Sequence, residues 1–130
     1  MPQRAIELIL TRQLASTLAM PVFLVDPAGT LVFYNEPAEA VLGMRFDETG
    51  EMPAAEWATL WSPFDADGNA LGSDKLPLMI AVAEQRPVHG SFWIRGLDGA
   101  RRHIEATAFP LTRVTNEIVG AVVIFWEAAP

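Results

Sequence analysis

The chain has 130 residues, the length of one ordinary domain, and 51% of them are hydrophobic against 19% charged, which is typical of a globular protein. The formal net charge of −7 disfavours nucleic acid and anionic membrane surfaces as partners, because both would repel the chain. Cysteine is absent, which excludes disulfides and thiolate metal sites within it. No secretory signal and no apolar run near the ~20 residues of a membrane helix is visible, so we expect a cytoplasmic protein.

The first third of the chain predicts a helix, a β-hairpin and a second helix. Residues 3–18 carry apolar side chains at helical spacing on one stripe: Ile6, Ile9, Leu10, Leu14 and Leu18. Two strands follow at 22–26 and 30–34, joined by a turn over residues 26–29 whose proline and glycine suit their turn positions. Asn35 is a good N-cap for a short helix, Glu36–Leu42, which Gly43 can end.

The remainder predicts helical pieces and then three strands. A turn-rich stretch from 45 to 74 contains one helix, Ala54–Trp61, and a further helix is expected over 77–85. Strands are expected at Val88–Arg95, 101–109 and Ile118–Glu127. In the middle strand Ile104, Ala106 and Ala108 alternate with more polar residues, so they point into the core. Strands placed around a helical middle imply an α+β fold with an antiparallel sheet.

The order of elements, together with several short motifs, resembles the PAS family of bacterial signalling domains. The first half carries Asp26, Gly29, Tyr34-Asn35, Ala38 and Leu42-Gly43 at the family's hairpin and helix. The second half carries Pro63, then Asp65 to Gly68, Leu76-Pro77-Leu78, Asp98-Gly99, Arg101-Arg102, Phe109-Pro110-Leu111 and Ile118 to Val122. The resemblance covers roughly residues 19–127. We expect a capping or dimerisation helix over 1–18, the PAS domain over 19–127 and a tail over 128–130.

The resemblance implies a five-stranded antiparallel sheet with short helices on one face, enclosing a cavity, and with the N-terminal helix capping the other face. The strand phases taken from it, together with helix 77–85, give an apolar set of candidate ligand-binding residues: Phe23, Val32, Tyr34, Met79, Ile80, Ala83, Phe92, Ile94, Ile104, Ala106, Ala108, Val122 and Ile124. Val25 and Trp126 are also expected to point inward. An ordinary solid core without a usable void remains the alternative.

The opposite face of the sheet is also expected to be apolar, although an uncovered antiparallel sheet should be polar there. It would present Val22, Leu24, Leu31, Phe33, Trp93, Ala121, Val123 and Phe125. The N-terminal helix is expected to cover this face, either within one chain or from a partner chain. We therefore expect a homodimer whose interface draws on Ile6, Ile9, Leu10, Leu14, Leu18, Leu24, Phe33, Trp93, Val123 and Phe125.

No cofactor is expected. Haem-binding relatives commonly supply a histidine from the helical middle, which has none here, and His89 and His103 are expected at the surface. Flavin photosensors of this family use a reactive cysteine and polar amides, whereas the matching positions are Ile94 and Val122, so a covalent flavin is excluded while a non-covalent organic ligand stays open. The segment 65–69 starts like a calcium loop but has Ala70 and Leu76 at the sixth and twelfth positions, which favours a plain turn.

The expected function is sensing: a small, apolar molecule binds in the cavity and the signal passes through dimer or partner contacts. The alternative is a PAS module without a ligand that serves dimerisation or protein interaction. An enzyme is not expected, because no nucleophile, base and orienting group can be assembled. Possible partners are a second copy, an apolar ligand, and an effector protein or an output domain outside this chain; the chain would be a stand-alone sensor or a domain excised from a longer one.

Overall fold

The computed structural model describes residues 5–128. It contains five α-helices and one 3₁₀ turn, Ser73–Lys75: the helices are α1 (Ile6–Ala15), α2 (Glu36–Leu42), α3 (Phe46–Thr49), α4 (Ala54–Trp61) and α5 (Pro77–Glu84). The strands are β1 (Val22–Val25), β2 (Leu31–Tyr34), β3 (Val88–Arg95), β4 (Arg101–Thr112) and β5 (Ile118–Glu127). The predicted α+β order is confirmed, and α3 and the 3₁₀ turn are additions within the turn-rich stretch. Of the predicted helix 3–18, residues 3 and 4 lie outside the described residues.

The five strands form one antiparallel sheet in the order β2-β1-β5-β4-β3. The hairpin β1–β2 turns at Gly29, whose φ of 87° is in the left-handed region and whose amide donates to the Asp26 carbonyl at 2.9 Å. Asn116, in the β4–β5 connection, has a φ of 65°, which asparagine tolerates better than most residues. The turn predicted over residues 26–29 is therefore confirmed, and β5 lies at the centre of the sheet.

Asn35 joins the first helix to the sheet. It is buried, and its Oδ1 accepts hydrogen bonds from the amides of Val22 and Ala38, so it caps α2 as predicted. Its Nδ2 donates to the carbonyls of Ala15 and Met20, each at 2.9 Å. All the capacity of one buried amide is thus used to fix the end of α1 against the start of β1, because an unpaired buried amide would be costly.

The sheet separates two apolar cores. The inner core lies under α2, α4 and α5 and includes inward residues of every strand, while the outer core lies under α1 and contains Leu8, Ala15, Val22, Leu24, Val32 and Val122. Helix α1 reaches β1, β2 and β5. At Gly120 of β5, an added Cβ would lie 2.5 Å from Leu8 Cδ2 and 2.7 Å from the Val25 carbonyl oxygen, so glycine is needed for Leu8 to pack this closely on the sheet.

The prediction of which β5 side chains face inward is wrong. Ala121, Val123 and Phe125 lie in the inner core, while Val122 and Ile124 belong to the outer one. The pairing of Phe23 with Val123 and of Ala106 with Phe125 places these partners on one face. Because β5 is apolar on both faces, its own alternation gives no phase, and the borrowed phase was displaced by one residue.

The phase expected for β2 is wrong at its start. Tyr34 is inward as expected, but Leu31 lies in the inner core and Val32 in the outer one. The register between β1 and β2 shifts between Leu24 and Val25, so that Val25 pairs with Leu31. This irregularity adds one residue to β2, so the side chains before it lie on the faces opposite to those expected.

Helix α1 presents to the sheet a different face from the expected one. Leu8 and Ala15 are buried against it, whereas the predicted stripe points away: Ile6, Ile9, Leu10, Leu14 and, beyond the helix, Leu18 are all exposed. The helix is therefore apolar on two sides, and the capping found here is intramolecular. Among residues 5–128, no helix has the length and apolar character needed to cross a membrane.

Candidate functional site

A cavity of about 70 Å³ lies between the inner face of the sheet and the helical segments that cover it. Its walls are entirely apolar side chains: Phe23, Leu42, Trp57, Trp61, Pro63, Leu76, Pro77, Leu78, Phe92, Ile94, Ile104, Val123 and Phe125. The volume exceeds what one water molecule needs, but a buried water also needs two to four polar partners. The cavity is therefore suited to an apolar guest rather than to water.

The aromatic walls present rings, not polar groups, to this space. Trp57 and Trp61 are one helical turn apart on α4, and both are buried. The indole N–H of Trp57 donates to the Gly29 carbonyl at 3.0 Å, and that of Trp61 to the Leu42 carbonyl at 2.9 Å. Phe23 packs edge-on against both indoles, with ring centroids 5.3 and 6.1 Å away. The polar atoms of the two indoles thus bond to backbone carbonyls and offer no hydrogen-bond partner to the cavity.

The predicted ligand-binding residues fall into three groups. Four line the cavity: Phe23, Phe92, Ile94 and Ile104. Tyr34, Met79, Ala106 and Ala108 pack in the same core without lining the cavity. The remaining five are placed elsewhere: Val32, Val122 and Ile124 lie in the outer core, Ala83 is exposed, and Ile80 is half-buried outside both cores.

Helix α5 explains two of these differences. Ala106 and Ala108 were expected among the ligand-binding residues, but α5 packs over β4, and the small side chains permit its close approach. The inward face of α5 is Pro77, Leu78 and Ala81, one helical position away from the face expected from Met79, Ile80 and Ala83. The cavity is instead lined in part by Trp57 and Trp61 of α4, neither of which was among the predicted ligand-binding residues.

Sequence reasoning also missed the two tryptophans. Helix Ala54–Trp61 was predicted with its observed bounds, and the spacing of four between Trp57 and Trp61 places them on one helical face. That spacing was a usable signal for the principal aromatic walls. Tyr34, in contrast, directs its hydroxyl away from the cavity, donating to the Met44 carbonyl at 2.9 Å. Burial raises the pKa of this phenol, and a hydrogen bond with Thr49 only partly opposes the rise.

The comparisons with known proteins agree with this architecture. The profile of the family described as "PAS fold" matches residues 16–129. The chain belongs to the PAS family. No curated protein matches its sequence.

Solved structures share the PAS fold at low sequence identity. The PAS domain of a Colwellia psychrerythraea protein is 18% identical, with 92% of this chain and 97% of that chain covered and a TM-score of 0.65. The PAS domain of Bordetella pertussis BvgS is 15% identical, with 95% and 87% covered and a TM-score of 0.60. The Rhodobacter sphaeroides LOV protein is 11% identical, with 96% and 69% covered and a TM-score of 0.75. Such identities establish the fold alone.

The cavity of this PAS domain does not fit a flavin or a haem. Sites for drug-sized ligands have about 300–1,000 Å³, several times the 70 Å³ found here. Among residues 5–128, neither a histidine nor any other residue with an unpaired polar side-chain group lines the cavity, so this lining supplies no ligand for a haem iron and no hydrogen-bonding group for the polar edge of a flavin ring.

The histidines and acidic residues do not form a metal site either. His89 lies at the surface beside Glu105, with Nε2 and Oε2 3.0 Å apart, and His103 stacks on Trp93. Over residues 5–128, no three side chains of the metal-ligating types come together. The segment 65–69 is a turn in which Asp65 Oδ1 accepts from the amides of Asp67 and Asn69.

The residues predicted for the dimer interface are also divided. Val123 and Phe125 lie in the inner core, and Leu24 is fully buried under α1, so these three are unavailable to a partner. Phe33 is half-buried beneath the Arg12 guanidinium, 4.6 Å from the ring centroid. Among residues 5–128, four of the exposed large apolar side chains lie on α1, and the others are Leu18, Met20, Val114 and Trp126.

Proposed function

We propose that this PAS domain is a sensor that takes up a small apolar molecule in its cavity and passes the signal through α1 to a second copy of the chain. The observation that carries the proposal is the division of β5 between the two cores. Val123 and Phe125 line the cavity, while Val122 lies in the core beneath α1 and Gly120 contacts Leu8. A shift of β5 caused by a guest therefore alters the surface on which α1 rests.

The size of the cavity limits the guest. An engineered apolar cavity of about 150 Å³ binds benzene, and the present cavity has about half that volume. It accepts a molecule of a few heavy atoms directly. A larger ligand requires the wall from Trp61 to Leu78 to move outward, and such a ligand can shift the equilibrium only through unequal affinity for the two arrangements.

The exposed side of α1 supports the second copy as the partner. Ile6, Leu10 and Leu14 recur every fourth residue and are 64%, 56% and 59% exposed. Such a stripe is typical of a helix that packs against another helix. The role proposed is non-catalytic, because the lining of the cavity contains no titratable or nucleophilic side chain.

The cavity is tested with two matched substitutions on one strand. Val123→Ile adds a methyl group to the cavity wall, and Val122→Ile adds the same group to the outer core. Small hydrocarbons of increasing size are screened by their effect on thermal unfolding, since a ligand that binds only the native state stabilises it. We expect stabilisation in the wild type and in Val122→Ile, and a loss of it in Val123→Ile. Equal stabilisation in both variants would place the guest elsewhere.

The dimer is tested by sedimentation equilibrium. Replacing Leu10 and Leu14 together by glutamate is expected to weaken self-association by at least about tenfold, because charges would replace the apolar stripe. Ala83→Glu, an exposed change on α5 away from the stripe, serves as the control and is expected to leave association unchanged. A wild-type chain that stays monomeric would contradict the relay. Dimers that persist while no guest stabilises the protein would favour the alternative, an interaction module without a ligand.

A further inference from the structure

A second recess, of about 600 Å³, lies on the surface between the segment 58–71 and the end of the β3–β4 hairpin. Arg95 and Arg101 contribute its charged wall, and Pro63, Phe64 and Leu71 contribute its apolar wall. Its volume falls within the range of small-molecule sites. It is distinct from the cavity described above, with which it shares only Pro63.

The two arginines of this cleft are directly opposite each other on β3 and β4. Like charges in that position destabilise a sheet. Neither arginine has a carboxylate within ion-pair distance among residues 5–128, although the chain has 16 acidic and 9 basic residues. Arg95 makes one long hydrogen bond, 3.5 Å to the Gly99 carbonyl. Among residues 5–128, no carboxylate therefore offsets the like charges of this opposed pair.

The neighbouring arginine shows that carboxylates are available at this end of the hairpin. Arg102 is paired with both Asp98 and Glu127. Arg101, next to it in sequence, instead lies over two rings, with its guanidinium carbon 5.0 Å from the centroid of Phe64 and 5.5 Å from that of Trp93. The rings restrict the side chain, and its N–H groups donate to no acceptor among residues 5–128, which is a preorganised arrangement for an anion.

The other polar side chains that line the cleft already donate to backbone carbonyls, so the two guanidinium groups are the side-chain donors open to a ligand. Thr59 donates its hydroxyl proton to the Ala55 carbonyl at 2.7 Å, and Ser62 donates to the Thr59 carbonyl at 2.9 Å. The turn that supplies Gly68 to the wall also carries Asp65, but that carboxylate accepts from amides within its own turn. An uncharged ligand would gain little here, whereas an oxyanion would gain two charged donors.

We propose that this cleft binds a small molecule carrying a phosphate or carboxylate group. The oxyanion is held between Arg95 and Arg101, and the apolar part of the molecule rests against Pro63 and Leu71. The binding offsets the repulsion between the two arginines. The proposal does not depend on the sensing role proposed for the cavity, and either can fail without the other.

The test is a titration of isotope-labelled protein followed by NMR. The probes are phenyl phosphate, benzoate and, as an uncharged control, benzyl alcohol. We expect saturable shifts confined to the cleft for at least one of the two anions and none of comparable affinity for the alcohol. The tighter of the two anions identifies the group that the cleft prefers.

Three variants decide whether the arginines carry the binding. Arg95→Gln and Arg101→Gln are each expected to lower the affinity for the more tightly bound anion by about tenfold or more. Each substitution removes a charged hydrogen-bond donor. Arg86→Gln removes an exposed arginine paired with Glu84 outside the cleft and is expected to leave the affinity unchanged. Thermal unfolding of all three verifies that they fold. Absence of saturation, equal losses in all variants, or binding of benzyl alcohol as tight as that of the anions would overturn the proposal.

Discussion

The two faces of the sheet are both apolar, yet they are covered in different ways. The inner face lies under three helices and the connecting segments between them, and this composite cover leaves a cavity. The outer face has a single helix, α1, which reaches β1, β2 and β5 and buries Leu8 against Gly120. One face thus has unfilled space inside, and the other has unburied apolar surface outside.

The difference indicates where each kind of partner can bind. The side chains that line the cavity lack partner atoms on one side, and a small guest would supply those dispersion contacts. The exposed apolar side chains of α1 would instead be buried by packing against another protein surface. The central strand β5 contributes alternate residues to both sides. If the two covers behave as separate layers, a substitution in one should leave the other intact.

Loss of an inner-face wall should be the most damaging change. Trp57→Ala removes a buried indole that packs on Phe23 and donates to the Gly29 carbonyl, and is expected to cost about 3–5 kcal/mol of unfolding free energy. Trp126→Ala, at an exposed tryptophan of the outer face, is expected to cost much less. Urea denaturation measures both. Similar losses for the two would contradict the assignment of faces.

A pair of leucines on α1 separates its two sides. Leu8→Ala is expected to cost about 2–4 kcal/mol because Leu8 is buried on Gly120. Leu10→Ala, at an exposed position, is expected to change the stability of the monomer by less than about 0.5 kcal/mol. Denaturation at low protein concentration makes this comparison. A larger loss for Leu10→Ala would mean that the helix packs on its other side.

A substitution at Asn35 can weaken the attachment of α1 to the sheet while keeping the hydrogen bonds to β1 and α2. In Asn35→Asp the remaining oxygens still accept from Val22 and Ala38, but the side chain can no longer donate to Ala15 and Met20. The expected cost is about 2 kcal/mol. Hydrogen exchange should be faster throughout α1 and little changed in α4. Uniformly faster exchange would show that the two covers are not separate.

The smallest effect concerns Tyr34, the single tyrosine of the chain. Its folded-state pKa is raised from 10.0, chiefly by burial, so above pH 10 the unfolded chain has lost its phenolic proton while the folded chain still holds it. The stability of the native state is therefore expected to fall as the pH rises from about 10, and to be unaffected by this group at lower pH. Tyrosinate absorbance reports the titration directly. A midpoint at or below 10 in the folded protein would contradict it.

The sequence by itself predicted the inward-facing side chains of a strand only where polar and apolar residues alternate along it. In β4, polar Glu105 and Thr107 alternate with Ile104 and Ala106, and the inward set was predicted correctly. In β5 no such contrast exists, and the faces of Val122 and Val123 were interchanged. No local pattern indicated the irregularity that turns Val32 outward.

The candidate site was predictable only in part, for a related reason. Small residues in a strand are compatible both with a cavity and with a closely packed helix, and only tertiary packing showed that α5 fills the space over Ala106 and Ala108. Helix α1 carries apolar residues on two sides, so helical periodicity alone selected the broader, exposed stripe containing Leu10 and Leu14. The cleft formed by Arg95 and Arg101 depends on strand pairing and was not visible in the sequence.

The four tryptophans allow the central claim to be tested by one measurement. Trp57 and Trp61 line the cavity, while Trp93 and Trp126 lie away from it. Under xenon pressure, the indole resonances of the first pair are expected to shift saturably and those of the second pair to stay unchanged. Equal shifts of all four, or shifts confined to Trp93 and Trp126, would contradict an apolar binding cavity on the inner face.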